Sequence, residues 1–407
     1  MKNKTVCVIG LGYIGLPTAA LISNKGYKVL GVDINQKVVS KINEGKITFI
    51  EKSLEEYVNQ AVLSGKLKAS NHIQRSDIYI ICVPTPFHKS EDIPYPNIDY
   101  ILSATESIAP FIKEEDLVIL ESTSPVGTTD KIKQKLIKCG SNLKNVQIAY
   151  CPERVLPGQI MKELVENDRI IGGLTSASTK KVVEFYRSFV KGNLFETDAK
   201  TAEMCKLSEN SFRDLNIAFA NELSIVCDKQ GINIWNLIML ANKHPRVNIL
   251  QPGTGVGGHC ISVDPWFIVS QDRENTPLIR TAREVNNNKT KWVIKKIKTV
   301  AIDYFVKKGV KPKIACLGLA FKPDIDDLRE SRALEVAEKL LREGYEIYAV
   351  EPNINSHKKF QLFNVLDAIE KADIICVLVK HRQFLQYEIK KKLIKSQALD
   401  FCGSLFI

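Results

Sequence analysis

The chain has 407 residues, of which 44% are hydrophobic and 25% are charged, and these values are typical of a folded globular protein. At roughly 150 residues per domain, this length predicts two or three domains and excludes both a single small module and a disordered chain. The formal net charge of +11 suits an anionic partner such as a nucleotide, a nucleic acid or a membrane surface. Charge alone does not distinguish these partners.

Ten cysteines are spread along the chain without a C-x-x-C pair, which fits neither a disulfide framework nor a zinc site. We therefore expect the protein to be located in a reducing cytoplasm. No metal is expected either, because His259 has no second cluster of metal-ligating residues near it in sequence. The uncharged run 5–23 is interrupted by glycines and Pro17, so it predicts a strand followed by a helix and not a signal peptide or membrane span.

Short apolar segments alternate with helical segments in the first part of the chain. TVCVIG, YKVLGVD, DIYIICV and DLVILES predict buried strands, and a helix ending at Asn24 separates the first two. This alternation predicts a parallel sheet with helices on both faces, which is a doubly wound α/β domain.

A glycine pattern, Gly10-x-Gly12-x-x-Gly15, follows the first strand and opens a helix, and Asp33 ends the second strand. The glycines allow a tight turn and close approach of the backbone to a pyrophosphate, while an acidic residue at this point accepts hydrogen bonds from ribose hydroxyls. Three glycines alone could merely mark tight packing. Strand, spacing and acid together predict a dinucleotide site that prefers NAD to NADP.

The same order of strands returns near the C-terminus as KIACLG, GYEIYAVE and ADIICV. Gly10 and Gly318 are 308 residues apart, whereas Gly26 and Gly344 are 318 apart, so ten residues are inserted where the phosphate turn should be. This insert, FKPDIDDLRE at 321–330, replaces the glycines with charges. We expect the second copy to bind something other than a dinucleotide in the standard way.

Residues from about Thr197 to Gly231 contain no proline and predict one long amphipathic helix of about 45 Å, suited to join two domains and to pack against its twin in a dimer. The predicted fold class is α/β, with two Rossmann-like doubly wound domains joined by a long central helix. The predicted boundaries are 1–196 for the NAD-binding domain, 197–300 for a central helical domain and 301–407 for the second Rossmann-like domain.

Two further segments carry residues that are capable of catalysis. In GVGGHCISVD, Cys260 follows a glycine-rich turn, and Asp264 shares its face if a helical turn follows. Residue type alone favours a buried, inert cysteine. Lys206 and Asn210 are four residues apart on the long helix, with Arg213 one turn further. Helix geometry alone favours a solvated polar face, and the alternative is a pair that holds an oxyanion or lowers the pKa of a thiol.

ESTSPVG and YCPERVLPG, which begin at Glu121 and Tyr150, each end a predicted strand. The carboxyl ends of strands form the binding edge of an open α/β sheet, so polar residues there are candidates for a site. Proline and glycine also simply make turns, and neither motif is decisive by itself.

Together these segments closely resemble the UDP-sugar dehydrogenases of the UDP-glucose/GDP-mannose dehydrogenase family, which oxidise C6 of a UDP-hexose from alcohol to carboxylate. The resemblance runs nearly end to end. It is carried by VIGLGYIGLPTA, VPTPF, ILESTSPVGTT, YCPERVLPG, TAEMCKLSENSFRDLNIAFANEL, HPRVNI, GVGGHCISVDPWF and GLAFKPDIDDLRESRA.

The resemblance implies three sets of site residues. The catalytic set is Cys260 as nucleophile, Lys206 as its acid/base partner, and Asn210, Asp264, Thr123 and Glu153. The cofactor set is Gly10, Gly12, Tyr13, Ile14, Gly15, Asp33, Thr85, Thr123 and Arg329. The substrate set is Arg154, Val155, Lys206, Asn210, Arg213, His244, Arg246, Gly257 and Lys322.

The central motif and the stretch from HPRVN to DPWF imply a UDP-N-acetylhexosamine substrate, specifically UDP-N-acetyl-D-mannosamine. It would be oxidised through a cysteine thiohemiacetal and thioester to a precursor of surface polysaccharide. One alternative is UDP-N-acetylglucosamine, which differs only in configuration at C2. Another is a catalytically silent nucleotide-sugar-binding protein, against which the presence of Cys260 and Lys206 argues. No nucleic-acid-binding pattern accompanies the positive charge, so we expect no nucleic-acid partner. The cysteines, the long helix and the interrupted run 5–23 together predict a cytoplasmic homodimer that does not bind a membrane.

Overall fold

The computed structural model describes residues 4–49, 51, 53–88, 93–156 and 158–406. Residue 1, where the first predicted domain begins, and Pro157 of the YCPERVLPG motif lie outside the described residues. The chain forms two compact units. The first comprises the residues up to Glu209 together with Trp266–Gln271, and the second comprises Asn210–Pro265 and the residues from Asp272 onward.

The first unit begins the alternation of strands and helices that the sequence predicts. Its strands are β1 (Thr5–Ile9), β2 (Lys28–Val32), β3 (Leu67–Ser70), β4 (Ile78–Ile81), β5 (Phe87–His88), β6 (Tyr95–Pro96), β7 (Leu117–Leu120), β8 (Gln147–Tyr150), β9 (Arg169–Gly173) and β10 (Leu194–Asp198). Its helices are α1 (Gly15–Asn24), α2 (Gln36–Asn43), α3 (Leu54–Leu63), α4 (Asp99–Ile108), a 3₁₀ helix (Ala109–Phe111), α5 (Thr128–Lys138), α6 (Ile160–Glu166) and α7 (Ser176–Arg187).

Eight of these strands form one sheet in the order β10-β9-β8-β7-β4-β1-β2-β3. Strands β4 and β7 are buried throughout, and alternate side chains enter two separate cores, with Ile80 on one face and Tyr79 on the other. A sheet covered on both faces in this way requires nearly continuous apolar strands. The predicted doubly wound domain is confirmed, although the pair β8 and β9 runs antiparallel.

Helix α8 (Ala199–Gln230) is the predicted long helix, and it runs for 32 residues without a break. The elements that follow it are α9 (Ile234–Ala241), α10 (Asp264–Gln271), α11 (Pro277–Lys308), β11 (Lys313–Leu317), α12 (Arg332–Arg342), β12 (Glu346–Val350), α13 (Val365–Lys371), β13 (Ile374–Val377), a 3₁₀ helix (Arg382–Leu385), α14 (Tyr387–Lys395) and β14 (Leu399–Asp400). None of the described helices has both the length and the apolar character needed to cross a membrane.

The second sheet is parallel and has the order β12-β11-β13-β14, which repeats the order β2-β1-β4-β7 of the first. Leu317 at the end of β11 pairs with Val350 of β12, as Ile9 at the end of β1 pairs with Val32 of β2. The predicted second copy is therefore confirmed. The insert 321–330 lies between β11 and α12, at the place of the turn between β1 and α1.

A buried lysine lies in the second unit beside a cavity of about 280 Å³ that α8, α11 and the strand β14 line. Lys289 of α11 is only 2% exposed; its Nζ donates to Ser224 Oγ at 2.6 Å and lies 4.0 Å from the centre of the Trp292 ring. Burial lowers the pKa of Lys289 to about 7, although Asp228 opposes the shift. Protonation of Lys289 is therefore less favourable in the folded protein than in the unfolded chain.

We predict that Lys289→Met raises the free energy of unfolding at neutral and lower pH, because it removes a buried group that is charged there. The unfolded lysine titrates near pH 10.4 and the folded one near pH 7, so the unfolded state binds more protons between these values. Wild-type stability relative to the variant should therefore rise with pH across this window. Urea denaturation measures it, with exposed Lys295→Met as control, and a pH-independent difference would contradict the prediction.

Candidate active site

A tight turn joins β1 to α1. Gly10 has a φ of +90°, and a Cβ there would lie 2.7 Å from the carbonyl oxygen of Cys82. A Cβ on Gly15, the first residue of α1, would collide with the carbonyl oxygen of Gly10. Gly12 between them is exposed, and Ile14 is the N-cap of α1. Glycine is therefore required at both ends of the turn, as the close approach of a diphosphate to a helix N-terminus demands.

Asp33 holds this turn from the end of β2. Its Oδ2 accepts a hydrogen bond from Leu11 N at 2.9 Å, and its Oδ1 accepts one from Asn35 N at 2.8 Å. The carboxylate is half-buried, and each oxygen has a further lone pair with which to accept from a ribose hydroxyl. The glycine turn and Asp33 therefore fit the adenosine and diphosphate parts of NAD.

Other predicted cofactor residues lie at the carboxyl ends of the central strands. Thr85 follows β4, and its Oγ1 donates to the carbonyl oxygen of Thr123, which follows β7, at 2.7 Å. Tyr13 of the glycine turn stacks on Phe49, with the ring centroids 4.2 Å apart. Because parallel strands end at the same edge, these residues and the glycine turn share the binding edge of the sheet.

A buried polar network, which the sequence did not predict, lies next to this edge. Glu121 follows β7 directly and accepts hydrogen bonds from Tyr186 Oη at 2.5 Å and from Cys82 Sγ at 3.2 Å. Thr18 of α1 donates to the same carboxyl group at 3.4 Å. Burial raises the pKa of Glu121, although Arg169 opposes the shift, so this carboxyl group is held closer to its neutral form.

Glu153, predicted in the catalytic set, is buried and paired with a buried arginine. Arg169 Nη2 lies 3.1 Å from Glu153 Oε2 and donates to the carbonyl oxygen of Leu164 at 3.3 Å. The guanidinium also lies 4.9 Å from the centre of the Tyr186 ring. Burial opposes its charge, but Glu153 and other neighbours raise the pKa of Arg169, so Glu153 faces a permanent cation.

Arg154, predicted in the substrate set, is tied to α8. Its Nη2 lies 2.9 Å from Glu209 Oε1, and its Nη1 donates to the carbonyl oxygen of Asp168 at 3.1 Å. The backbone N–H of Arg154 donates to Glu153 Oε1 at 2.6 Å, and Val155 beside it is half-buried. Glu153 and Arg154, which are adjacent predicted site residues, are therefore hydrogen-bonded to each other.

On α8 the predicted polar residues differ in exposure. Lys206 is half-buried, Asn210 one turn later is 6% exposed, and Arg213 is exposed. Asn210 Nδ2 donates to Asp264 Oδ2 at 2.5 Å, and Asp264 is also buried. The simple interpretation of a solvated polar face is therefore wrong for Asn210 and holds for Arg213.

Cys260 is exposed, so the burial that residue type alone favours at this position is wrong. The N–H of Asp264 donates to the carbonyl oxygen of Cys260 at 2.9 Å, which forms the helical turn that opens α10. In contrast, burial raises the pKa of Cys7, Cys151 and Cys316 to about 12. Those thiols stay protonated at neutral pH.

The glycines before Cys260 lie against the insert 321–330. Gly258 has a φ of +80°, and a Cβ there would lie 2.8 Å from the ring of Phe321. A Cβ on Gly257 would collide with the carbonyl oxygen of Glu330. The glycines are therefore needed both for the turn and for the close packing of this loop against the insert.

A buried polar seam that sequence reasoning missed joins α8 to α11. Asp214 Oδ1 accepts from Arg283 Nη1 at 2.5 Å and from Asn286 Nδ2 at 2.7 Å. Asn221 donates to Asn286 Oδ1 at 2.8 Å and accepts from Gly253 N at 2.9 Å. Burial raises the pKa of Asp214 and lowers that of Arg283, so each charge depends on the other. The seven-residue spacing of Asp214 and Asn221 was the available signal.

The remaining predicted residues lie on exposed or half-buried segments of the second unit. His244 and Arg246 are exposed, and Arg246 N donates to His244 Nδ1 at 3.3 Å. In the insert, Lys322 is half-buried, and Arg329 is exposed and lies 2.6 Å from Asp327.

The parallel sheet, the glycine turn and Asp33 define a dinucleotide-binding oxidoreductase fold, and the exposed Cys260 adds a thiol on the second unit. Three stretches match the UDP-glucose/GDP-mannose dehydrogenase family: residues 4–190 its NAD binding domain, 200–288 its central domain and 315–403 its UDP binding domain. The chain belongs to this family. The resemblance seen in the sequence and the expectation of NAD as cofactor are confirmed.

Named relatives are similar over nearly the whole chain. The UDP-N-acetyl-D-mannosamine dehydrogenase of Campylobacter jejuni is 53% identical over 406 residues, which cover 96% of this chain and 98% of that protein. An NDP-N-acetyl-D-galactosaminuronic acid dehydrogenase of Ralstonia nicotianae is 48% identical over 395 residues, 94% of this chain and 92% of that one. The structure of the UDP-N-acetyl-mannosamine dehydrogenase Cap5O from Staphylococcus aureus has a TM-score of 0.85 and 42% identity, covering 94% of this chain and 90% of its own.

Proposed function

We propose that this chain oxidises UDP-N-acetyl-D-mannosamine at C6 to UDP-N-acetyl-D-mannosaminuronate, a nucleotide-linked uronate suited to surface polysaccharide synthesis. The observation that carries the proposal is the 53% identity, over 96% of this chain, to the Campylobacter jejuni enzyme of that name. The exposed Cys260 and the buried pair of Asn210 and Asp264 support catalysis over silent binding of the nucleotide sugar.

Oxidation of an alcohol to an acid removes two hydrides from C6, and NAD held by the glycine turn and Asp33 would accept them in turn. Cys260 Sγ adds to the aldehyde formed by the first oxidation and gives a thiohemiacetal, which keeps the reactive aldehyde on the protein. The second oxidation converts this adduct to a thioester. Water then attacks the thioester carbon, the C–S bond breaks, and the carboxylate and the Cys260 thiol are released.

The polar residues of the predicted catalytic set supply the remaining chemistry. Lys206 acts as the acid/base partner of Cys260 and, with the Asn210 amide, stabilises the oxyanion at each tetrahedral stage. The hydrogen bond to Asp264 fixes which side of the Asn210 amide carries the N–H groups. Glu153 or Asp264, with Thr123, positions and activates the water. The pairing with Arg169 holds the Glu153 carboxyl group in place.

The binding roles follow the domain order. We assign 1–196 to NAD, 197–300 to catalysis and dimerisation, and 301–407 to the UDP-sugar, in keeping with the family matches to 4–190, 200–288 and 315–403. The residues proposed to bind NAD are Gly10, Gly12, Tyr13, Ile14, Gly15, Asp33, Thr85, Thr123 and Arg329. The residues proposed to bind the nucleotide sugar are Arg154, Val155, Lys206, Asn210, Arg213, His244, Arg246, Gly257 and Lys322.

A homodimer through α8 is part of the proposal. Phe212, Phe219 and Val226 are 68%, 52% and 44% exposed, and their spacing of seven residues places them on one face of the helix. A large exposed apolar stripe on a long helix is typical of an interface, and a second copy offers the same stripe in return. The distribution of the ten cysteines supports a cytoplasmic location.

We predict two NADH per sugar with UDP-N-acetyl-D-mannosamine, because both oxidations occur before the product leaves. Absorbance at the NADH band measures the yield against a known amount of sugar, and UDP-N-acetylglucosamine and UDP-N-acetylgalactosamine are the matched controls. Activity on only one of these controls would refute the substrate assignment. If none of the three sugars yields NADH, the result would favour the catalytically silent nucleotide-sugar-binding protein.

Cys260→Ser is predicted to stop the reaction before the acid forms, because a hydroxyl is a much weaker nucleophile than a thiolate toward the aldehyde. Product analysis should show aldehyde or a slowly hydrolysed ester adduct on the protein. The matched control is Cys139→Ser, which alters another exposed cysteine and should retain the wild-type rate. Near-normal conversion to the acid by Cys260→Ser would eliminate the covalent mechanism.

The wild-type chain is predicted to sediment with the mass of a dimer, and Phe219→Asp should shift it toward the monomer, because the charge would be buried against the second copy. Analytical ultracentrifugation measures both masses. Lys229→Asp, an exposed change at the end of the same helix, is the control. A monomeric wild type would disprove the dimer.

A further inference from the structure

The second Rossmann copy keeps an acidic residue at the position of Asp33. Glu351 directly follows β12, as Asp33 follows β2, and its Oε2 accepts hydrogen bonds from Leu319 N at 2.7 Å and Ala320 N at 2.9 Å. Asp33 accepts from Leu11 N in the corresponding turn at 2.9 Å. Both carboxylates therefore hold the turn that leaves the first strand of their copy.

Glu351 differs from Asp33 because its remaining acceptor positions are occupied. His381 Nε2 lies 3.0 Å from Glu351 Oε2, and Oε1 accepts from both the backbone N–H and the side-chain amide of Asn353, at 3.1 and 3.0 Å. Glu351 is 4% exposed and His381 is fully buried. Burial alone would raise the pKa of Glu351, but these donors hold it below its usual value. A carboxylate with five donors on it has no position left for a ribose hydroxyl.

The other ring nitrogen of His381 holds the insert. Asp324 N, in the middle of 321–330, donates to His381 Nδ1 at 2.9 Å. A backbone N–H can only donate, so Nδ1 carries no proton, and the ring proton lies on Nε2, where it bonds Glu351. Asp324 has a φ of +61°, a conformation that a residue other than glycine keeps only when its surroundings hold it there.

The charged groups that face His381 complete this anchor. Besides Glu351, the Asp324 carboxylate lies 3.9 Å from Nδ1, and Arg382 neutralises it with Nε 2.9 Å from Asp324 Oδ2. Arg382 N also donates to Asp324 Oδ1 at 2.9 Å. The middle of the insert is therefore fixed at its backbone and at its side chain by two consecutive residues after β13.

The two ends of the insert lie against the loop that carries the thiol. Phe321 contacts Gly258, and the carbonyl oxygen of Glu330 lies against Gly257 so closely that neither glycine can take a side chain. Cys260 follows two residues after Gly258. A continuous path of contacts therefore runs from Glu351 through His381 and the insert to the loop that carries Cys260.

We propose that His381 is a positioning residue for the nucleotide sugar: it fixes the insert, and with it Lys322 and the Cys260 loop, by using the carboxylate that a dinucleotide site would offer to a ribose. The proposal rests on the proposed function, because it takes the insert and the Cys260 loop as parts of the UDP-sugar site. In the second copy, the carboxylate that would otherwise bind a ribose instead holds the insert through His381.

Two substitutions separate the contacts of the two ring nitrogens. In His381→Asn, the amide oxygen stands near the position of Nδ1 and can accept from Asp324 N, but the side chain is too short to reach Glu351. In His381→Gln, the amide nitrogen stands near the position of Nε2 and can donate to Glu351, but Asp324 N loses its acceptor. His381→Asn loses the contact with Glu351, and His381→Gln loses the contacts of Nδ1 with Asp324 N and with Asn353 Nδ2, which lies 3.1 Å away, so thermal unfolding should show a loss in both.

UDP affinity, measured by titration calorimetry on the full chain, distinguishes the two variants. We expect His381→Gln to weaken UDP binding about tenfold, the cost of one unmade buried hydrogen bond, with the KM for the UDP-sugar rising in parallel. His381→Asn should stay close to the wild type, as should the control His357→Gln. Equal losses in both His381 variants, no loss in either, or a loss confined to His381→Asn would each overturn the proposal.

The rate of alkylation of Cys260 by iodoacetamide supplies a readout that does not depend on turnover. His381→Gln should change this rate because the loop before Cys260 loses its anchor, and His381→Asn should leave it near the wild-type value. A wild type that binds UDP but oxidises no UDP-sugar would defeat the proposed function, while the comparison of the two variants would still decide the role of His381.

Discussion

The packing of α11 on α8 depends on a carboxylate and a guanidinium that are both removed from water, Asp214 and Arg283. Burying each ion costs several kcal/mol, and their attraction offsets that cost only with good geometry and further hydrogen bonds, which Asn286 supplies. Loss of either partner would strand the other charge, at a cost of about 3–5 kcal/mol. The same seam carries Asn221, which binds the backbone at Gly253, so the start of the glycine-rich loop takes its position from an ion pair between two helices.

The two Rossmann copies show how one structural element serves two purposes. In both, a carboxylate after the second strand accepts backbone N–H groups from the turn after the first strand. In the first copy the turn is made of glycines and Asp33 is half-buried, so the site is open to a dinucleotide. In the second copy the ten-residue insert occupies the place of that turn, and Glu351 is covered by His381. What each copy can bind therefore depends on whether its carboxylate is open, as at Asp33, or covered, as at Glu351.

The sequence predicted the features that depend on local pattern. Apolar periodicity and spacing were enough for the buried strands, for the helix Ala199–Gln230 and for the glycine turn with Asp33, because each is determined within a few residues. The pairing of Glu153 with Arg169, the burial of Asn210 and the anchor at His381 could not be predicted in this way, since they join residues that are distant in the chain. Residue type alone wrongly favoured a buried Cys260, because cysteine statistics describe an average core, whereas this loop is shaped by the insert against its glycines.

The unequal exposure of the cysteines bears on how the protein would fail under oxidative stress. Cys139 and Cys260 are the exposed cysteines in the described part of the chain, while Cys7, Cys151 and Cys316 lie in the cores and stay protonated. Peroxides react with accessible thiolates, and the first oxidation product of a thiol is reversible by reductants. Oxidation would therefore reach the Cys260 loop while the cores around Cys7, Cys151 and Cys316 remain folded, and reductants would restore the thiol.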